Sequence, residues 1–389
     1  EMLTIGCVSE KLNIVQDLLS TEGIGNYVNF ELGHGITPFY VACRENKLKF
    51  VSLLLEVKGL DINKPINTGA TSFCISCEKG HVEMVKLLLS HQEMDPNQPM
   101  DDGATPFYVA CEKGEVEIVK LLLEDPRIDI NRPTNNLANP FFIACWNSKV
   151  EIVKLLLADP RMDVNQADSD GFTTFYVACQ QGQLEIVELL LSDPRVAINS
   201  CTLDGFTPFY IACHNGATEI VKVLLNDGRI DPNQQANSGA TPFYIACERG
   251  QVDVIKLLYN NEKIDVNQER KDEATPFFIA CQEGRLEIVK LLLICDREIN
   301  RERKWKVGNR TGFEQATFNS TANRHPWETD EQSITRKQNC QQITKLIKDY
   351  RDDSEQVKFM IKKEFGILDS CASQLFYLIV LLSDGYLKF

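Results

Sequence analysis

The sequence predicts an all-α solenoid, a stack of small helical units that grows in one direction. Three observations carry that prediction. A Thr, once replaced by Asn, recurs every 34 residues, at Thr37, Thr71, Thr105, Asn139, Thr173, Thr207, Thr241 and Thr275. The same stretch returns around each of them, best seen in DGATPFYVACEKGEVEIVKLLLEDPRIDIN from Asp102 to Asn131. Each unit is too short to bury a face alone, so its neighbours must supply the other side of the core.

Within that stretch the elements follow in order. Thr105 before Pro106 is a helix start: the hydroxyl caps a backbone N–H, and proline suits the first helical position, where no donor is needed. Phe107, Ala110 and Cys111 share one apolar face, and Gly114 ends the helix in a left-handed conformation that glycine adopts at little cost. A second helix follows. Val116, Ile118, Val119, Leu121, Leu122 and Leu123 are apolar, while Glu117, Lys120 and Glu124 form an outer stripe, which predicts burial on most sides. Pro126 stops it by pushing the preceding residue out of helical space. The Asp-Ile-Asn segment and the next Gly-centred turn then form a hairpin-like finger.

The pattern G-x-T-P-F-Y-x-A-C-x-x-G-x-x-E-I-V-K-L-L-L…D-x-N resembles the ankyrin repeat, whose usual form has T-P-L-H-x-A-A in about 33 residues. The resemblance runs in register from Met2 to Asn300 and more loosely to Tyr350. Phe-Tyr replaces Leu-His, Cys replaces the second Ala, and one residue is added near the Asp-Pro-Arg turn. The architecture carries over, but the family's His and its hydrogen bonds do not.

A chain of 389 residues with 43% apolar content suits such an array, and a net charge of −14 argues against a general affinity for nucleic acid or acidic membranes. Of the 14 cysteines, Cys7, Cys43, Cys77, Cys111, Cys145, Cys179, Cys213, Cys247 and Cys281 fill one slot in successive units. Equivalent atoms of neighbouring repeats lie roughly 10 Å apart, beyond the ~7 Å limit for a disulfide. They are expected to be small buried hydrophobes in a reducing compartment. With no signal segment and no apolar run of the ~20 residues a membrane span needs, the chain is expected to be cytoplasmic and monomeric, a nuclear location being left open.

Along the chain, residues 1–300 are expected to form the array, beginning with a partial unit over residues 1–20 that lacks its Thr-Pro start. The missing start raises the alternative of a larger chain whose other part holds an effector domain. Ser72 and Thr174 stand for proline at a mild loss. Leu137 and Glu273 stand where the finger glycine belongs and are expected to force another turn, because a positive φ is costly for them. The segment 301–310 is a basic finger with Arg301, Arg303, Lys304, Lys306 and Arg310. Residues 301–350 read as a degenerate capping unit, starting at Thr311 and returning to pattern at Ile343, Leu346 and Ile347, with a polar loop FNSTANRHPWETDEQS between. Residues 351–389 form a helical tail: one helix capped by Ser354 with Val357, Ile361 and Phe365 on a face, and another after Ser370 that docks on the last repeats or on a partner.

No phosphate-binding loop, dinucleotide fingerprint, zinc-protease motif or nucleophile elbow is present, and the five His are scattered, so no enzyme and no cofactor are expected. Cys74, Cys77 and His81 share a helix face, but a structural zinc site needs a fourth ligand and none is evident, so no metal is expected. What remains is protein recognition. By the resemblance, partners lie against the finger tips and the inner face of the first helices, where most units carry small or charged residues such as Ala104 or Glu112. Three units differ, with Trp146 and Asn147, then Phe172 with Gln180 and Gln181, then Phe206 with His214. These seven residues are the expected partner-binding patch, because interface energy concentrates in aromatic anchors. The competing reading folds the two Phe rings onto the finger stem and Trp146 onto a neighbouring helix. The rival function is a nucleic-acid or nuclear role for the basic segment 301–310.

Overall fold

A computed structural model describes residues 28–294, 297–322 and 328–366. The expected N-terminal partial unit and the helix after Ser370 lie outside the described residues. The chain divides into two compact units, Glu1–Leu203 and Asp204–Phe389. The described residues contain 19 helices and no named strand, as expected of an all-α repeat solenoid.

In the first unit the helices pair as α1 (Pro38–Arg44) with α2 (Leu48–Leu55), α3 (Ser72–Glu78) with α4 (Val82–Leu89), α5 (Pro106–Lys113) with α6 (Val116–Glu124), α7 (Pro140–Trp146) with α8 (Val150–Ala158), and α9 (Thr174–Gln180) with α10 (Leu184–Ser192). First helices pack on first helices and second on second. The second unit repeats this with α11 (Pro208–Asn215), α12 (Thr218–Asn226), α13 (Pro242–Arg249), α14 (Val252–Tyr259), α15 (Pro276–Gln282) and α16 (Leu286–Ile294). Its last helices among the described residues are α17 (Gly312–Thr321), α18 (Asp330–Asp352) and α19 (Ser354–Glu364).

Each first helix begins where its Thr or Asn accepts the N–H of the third helical residue, as Thr105 does from Tyr108 at 3.2 Å and Asn139 from Phe142 at 2.9 Å. The Phe, Ala and Cys of the first helix are fully buried, as in Phe107, Ala110 and Cys111. The second helices bury less than their apolar content suggests, except α16, which packs against α18 and α19 and buries six apolar residues. In α6 only Ile118, Val119 and Leu122 are buried, because no layer covers its outer side.

The asparagine of the Asp-x-Asn segment ties repeat to repeat. Asn131 donates from Nδ2 to the carbonyl of Arg161 at 2.7 Å and accepts the N–H of Asp163 at 2.8 Å, and Asn97 and Asn165 do the same one repeat before and after. The added residue near Asp-Pro-Arg also has a use. Arg161 chelates Asp159 and donates to the carbonyl of Leu123 at 2.9 Å, closing the end of the preceding second helix, and Arg127 and Arg195 repeat this on Leu89 and Leu157. The arginine holds each aspartate below its ordinary range, at Asp125, Asp159 and Asp193.

Three expectations need correction. Leu137 and Glu273 keep the finger turn, at φ +63° and +64°, instead of adopting another. The turn is held from outside: Leu137 donates to the carbonyl of Thr134 and Asn135 to that of Asp102, and Glu273 donates to Arg270 and Lys271 to Ser238. The polar stretch between Phe318 and Ser333 is helical at both ends, since capping boxes at Thr311 with Glu314 and at Thr329 with Gln332 start α17 and α18. Asp353, not Ser354, caps α19, accepting the N–H of Gln356 at 3.0 Å.

Candidate recognition surface

The fingers and first helices of the first unit bring aromatic side chains together. The residue just before the helix cap is a buried Ala in most repeats, as at Ala70, Ala104 and Ala138. Phe172 stands in that slot and cannot fit beneath the helix. Its half-buried ring stacks on Tyr176 at 5.2 Å and packs against Ala138, Phe142 and Val177. Tyr108 packs on the same cluster. Trp146, the last residue of α7, stacks on Phe142 at 6.0 Å and stays 43% exposed. Tyr108, Phe142, Phe172, Tyr176 and Trp146 thus form one aromatic strip.

Its surroundings are acidic. The Tyr108 hydroxyl is pushed up to about 12, first by burial and then by the carboxylates of Glu112 and Asp102. Asp168 turns back on its own finger, accepting the N–H groups of Asp170 at 3.0 Å and Phe172 at 2.8 Å, while Asp170 is exposed.

Of the seven residues expected at the patch, five lie in the first unit. Trp146 and Phe172 meet through Phe142. Asn147 is half-buried and donates to the carbonyl of Glu112 at 3.4 Å, Gln180 is half-buried, and Gln181 is exposed. Phe206 and His214 belong to the second unit, where Phe206 stacks on Tyr210 at 4.9 Å and His214 Nδ1 lies 2.7 Å from Asn215 Oδ1. Two apolar residues were missed. Leu137 is 47% exposed and Leu203 74% exposed, both at finger tips of the first unit. An apolar residue among the polar ones that otherwise precede or replace the finger glycine was the available signal.

The basic segment is engaged within its own unit. Arg303 pairs with Glu269 at 2.8 Å and with Glu273 at 3.2 Å, and Lys306 lies 3.8 Å from Glu273. The guanidiniums of Arg301 and Arg310 lie over the rings of Tyr350 and Phe318. His81 donates from Nε2 to the carbonyl of Arg44 at 3.0 Å, and Cys74 and Cys77 are buried. Among the described residues no three His, Cys, Asp or Glu side chains converge as metal ligands, and no helix is long and apolar enough to cross a membrane.

A family model described as ankyrin repeats matches overlapping windows over residues 3–100, 59–134, 93–168, 141–236, 175–270 and 228–303. No curated protein matches the chain.

Proposed function

The chain belongs to the ankyrin-repeat family, and on that premise we propose that it binds a partner protein without catalysis, through the fingers and first helices of its first unit. One observation carries the reading: Trp146 leaves large apolar surface in water on top of a ring it is already stacked on, and Leu137 and Leu203, at finger tips of the same unit, are exposed as well. Such surface is costly unless a partner covers it. The stacked rings lose little side-chain freedom on binding, so less of the interaction energy is lost to ordering. Trp146, Phe172, Leu137 and Leu203 are the proposed anchors, with Asn147, Gln180 and Gln181 as polar rim; Phe206 and His214 are proposed recognition residues of the second unit, taken by itself. A reducing, intracellular setting suits the ten free cysteines that are buried among the described residues.

The test is quantitative capture from a native lysate with the wild-type chain and with Trp146→Ala and Leu203→Ala. A partner lost from both variants, with thermal melting nearly unchanged, supports the reading. Identical captured sets refute it.

A further inference from the structure

Repeat equivalence points to the chemistry of what this surface holds. In the second unit, Arg270 lays its guanidinium 5.5 Å from the centre of the Tyr244 ring and chelates Asp272, with Glu248 close enough to act on its charge. The 34-residue register gives the equivalents of these four residues in the first unit. At one place Tyr244 becomes Phe142, Glu248 becomes Trp146, Asp272 becomes Asp170 and Arg270 becomes Asp168. One repeat earlier they become Tyr108, Glu112, Asn136 and Thr134. The ring and at least one carboxylate are kept at both places, and the arginine is at neither.

The geometry points to these two places as seats for the cations of a partner: consecutive Arg or Lys side chains of a basic segment, each laid over a ring and paired with a carboxylate. This rests on the recognition surface proposed above and adds the kind of partner it fits. At the first seat Phe142 is buried, so the exposed Trp146 stacked on it offers the ring face, and Asp168 and Asp170 supply two carboxylates that are in no ion pair among the described residues. At the second, the half-buried Tyr108 packs on the same aromatic cluster, the carboxylates of Glu112 and Asp102 are near enough to act on its hydroxyl, and Glu112 already pairs with Lys113 at 3.0 Å. Cations over aromatic faces are attracted by the ring quadrupole, most strongly over Trp. The net charge of −14 favours encounter with a basic segment at long range. Neighbouring first helices pack about 8–10 Å apart, and an extended chain advances about 3.3 Å per residue. The two cations should therefore stand three positions apart, with an apolar residue near them for Leu137 or Leu203.

The experiment pans a phage-displayed library of random peptides, about twelve residues long, on the immobilised full chain. Binders are kept if Trp146→Ala weakens them. The expected result is enrichment of two Arg or Lys three positions apart. In a synthetic copy of the best binder, replacing either Arg by the neutral isostere citrulline should weaken binding about tenfold, equivalent to about 1.4 kcal/mol. Asp168→Asn with Asp170→Asn should weaken the parent peptide to a similar degree, one of the two single-citrulline peptides hardly at all, and the other as much as the parent. Asparagine at 168 keeps the Oδ1 acceptor that holds the finger, and unchanged circular dichroism melting verifies that the fold survives. Trp146-dependent peptides without basic residues, or citrulline substitution with less than a twofold effect, would overturn the cation seats while leaving the recognition surface standing. A library that yields no Trp146-dependent binder overturns both.

Discussion

Thr174→Pro should stabilise the first unit. Six first helices begin with a proline that is buried beside the cap, at Pro38, Pro106, Pro140, Pro208, Pro242 and Pro276. The cap before Thr174 has φ −83° and ψ 161°, against −84° and 162° at Thr105 and Thr207, so the backbone already accepts proline there. Two gains add. Restricting the unfolded chain is worth about 0.4–1 kcal/mol. The Thr174 hydroxyl is buried with no hydrogen-bond partner, and removing such a group recovers on the order of 1 kcal/mol. Together the substitution should raise stability by roughly 1–2 kcal/mol, read as a higher guanidinium midpoint by circular dichroism. Thr174→Val separates the terms, since it removes the hydroxyl and leaves φ free, and should give the smaller part. A lower midpoint for the proline variant, or a valine variant equal to it, would refute the two-part reasoning.

Other outcomes follow from the inter-repeat bonds and the buried groups. Asn131→Ala removes a donor and an acceptor from the repeat junction and should cost about 2 kcal/mol in chemical denaturation, at about 1 kcal/mol per bond; Asn136→Ala at an exposed tip should cost under about 0.5 kcal/mol. The aspartates of the Asp-Pro-Arg turns titrate below their unfolded value because arginine holds them, so their contribution is complete above the ordinary carboxylate range near about 4 and is lost as the pH falls from there through their lowered folded values. Replacing Asp125, Asp159 and Asp193 by Asn should therefore flatten the loss of stability between about pH 5 and pH 2 in acid unfolding. Burial pushes up the thiols of Cys111, Cys145 and Cys179, whereas Cys201 is exposed. Among the described residues, iodoacetamide followed by peptide mapping should label Cys201 in the native fold and the others only on unfolding.

Much of the fold was legible because its signals are local. Caps, helix ends and the buried Phe-x-x-Ala-Cys face each depend on residues within one or two turns. The parts that were not legible depend on the next repeat. Leu137 holds a left-handed conformation through a turn whose preceding residue Asn135 is itself fixed to Asp102 in the finger before. Nothing in its own neighbourhood reveals that constraint. The Asp-Pro-Arg arginines read as a surface turn until their carbonyl partners, 38 residues away, are seen. At the candidate surface, departures from the repeat picked out Trp146 and Phe172, but their meeting through Phe142 is a packing outcome that spacing does not encode.

The unit that begins at Asn139 gathers the departures. Asn139 caps its helix through Oδ1 and also donates from Nδ2 to the carbonyl of Asp163 at 2.9 Å, so separate atoms serve the cap and the added bond. Ser148 takes a glycine slot at φ +55°, but its hydroxyl accepts a hydrogen bond from Gln183 Nε2 at 2.7 Å, which helps hold the conformation. Leu137 has no such return: its backbone is strained and its side chain is 47% exposed. A strained backbone held by its neighbours while the side chain is left in water is what a binding position shows. Leu137→Gly should therefore leave stability within about 1 kcal/mol, because relief of about 1–2 kcal/mol of left-handed strain is offset by lost apolar contact and by the freer unfolded chain, itself worth about 0.5–1 kcal/mol. The same variant should weaken a Trp146-dependent ligand severalfold in a titration, and an unchanged affinity would make the leucine a tolerated accident of the finger instead of an anchor.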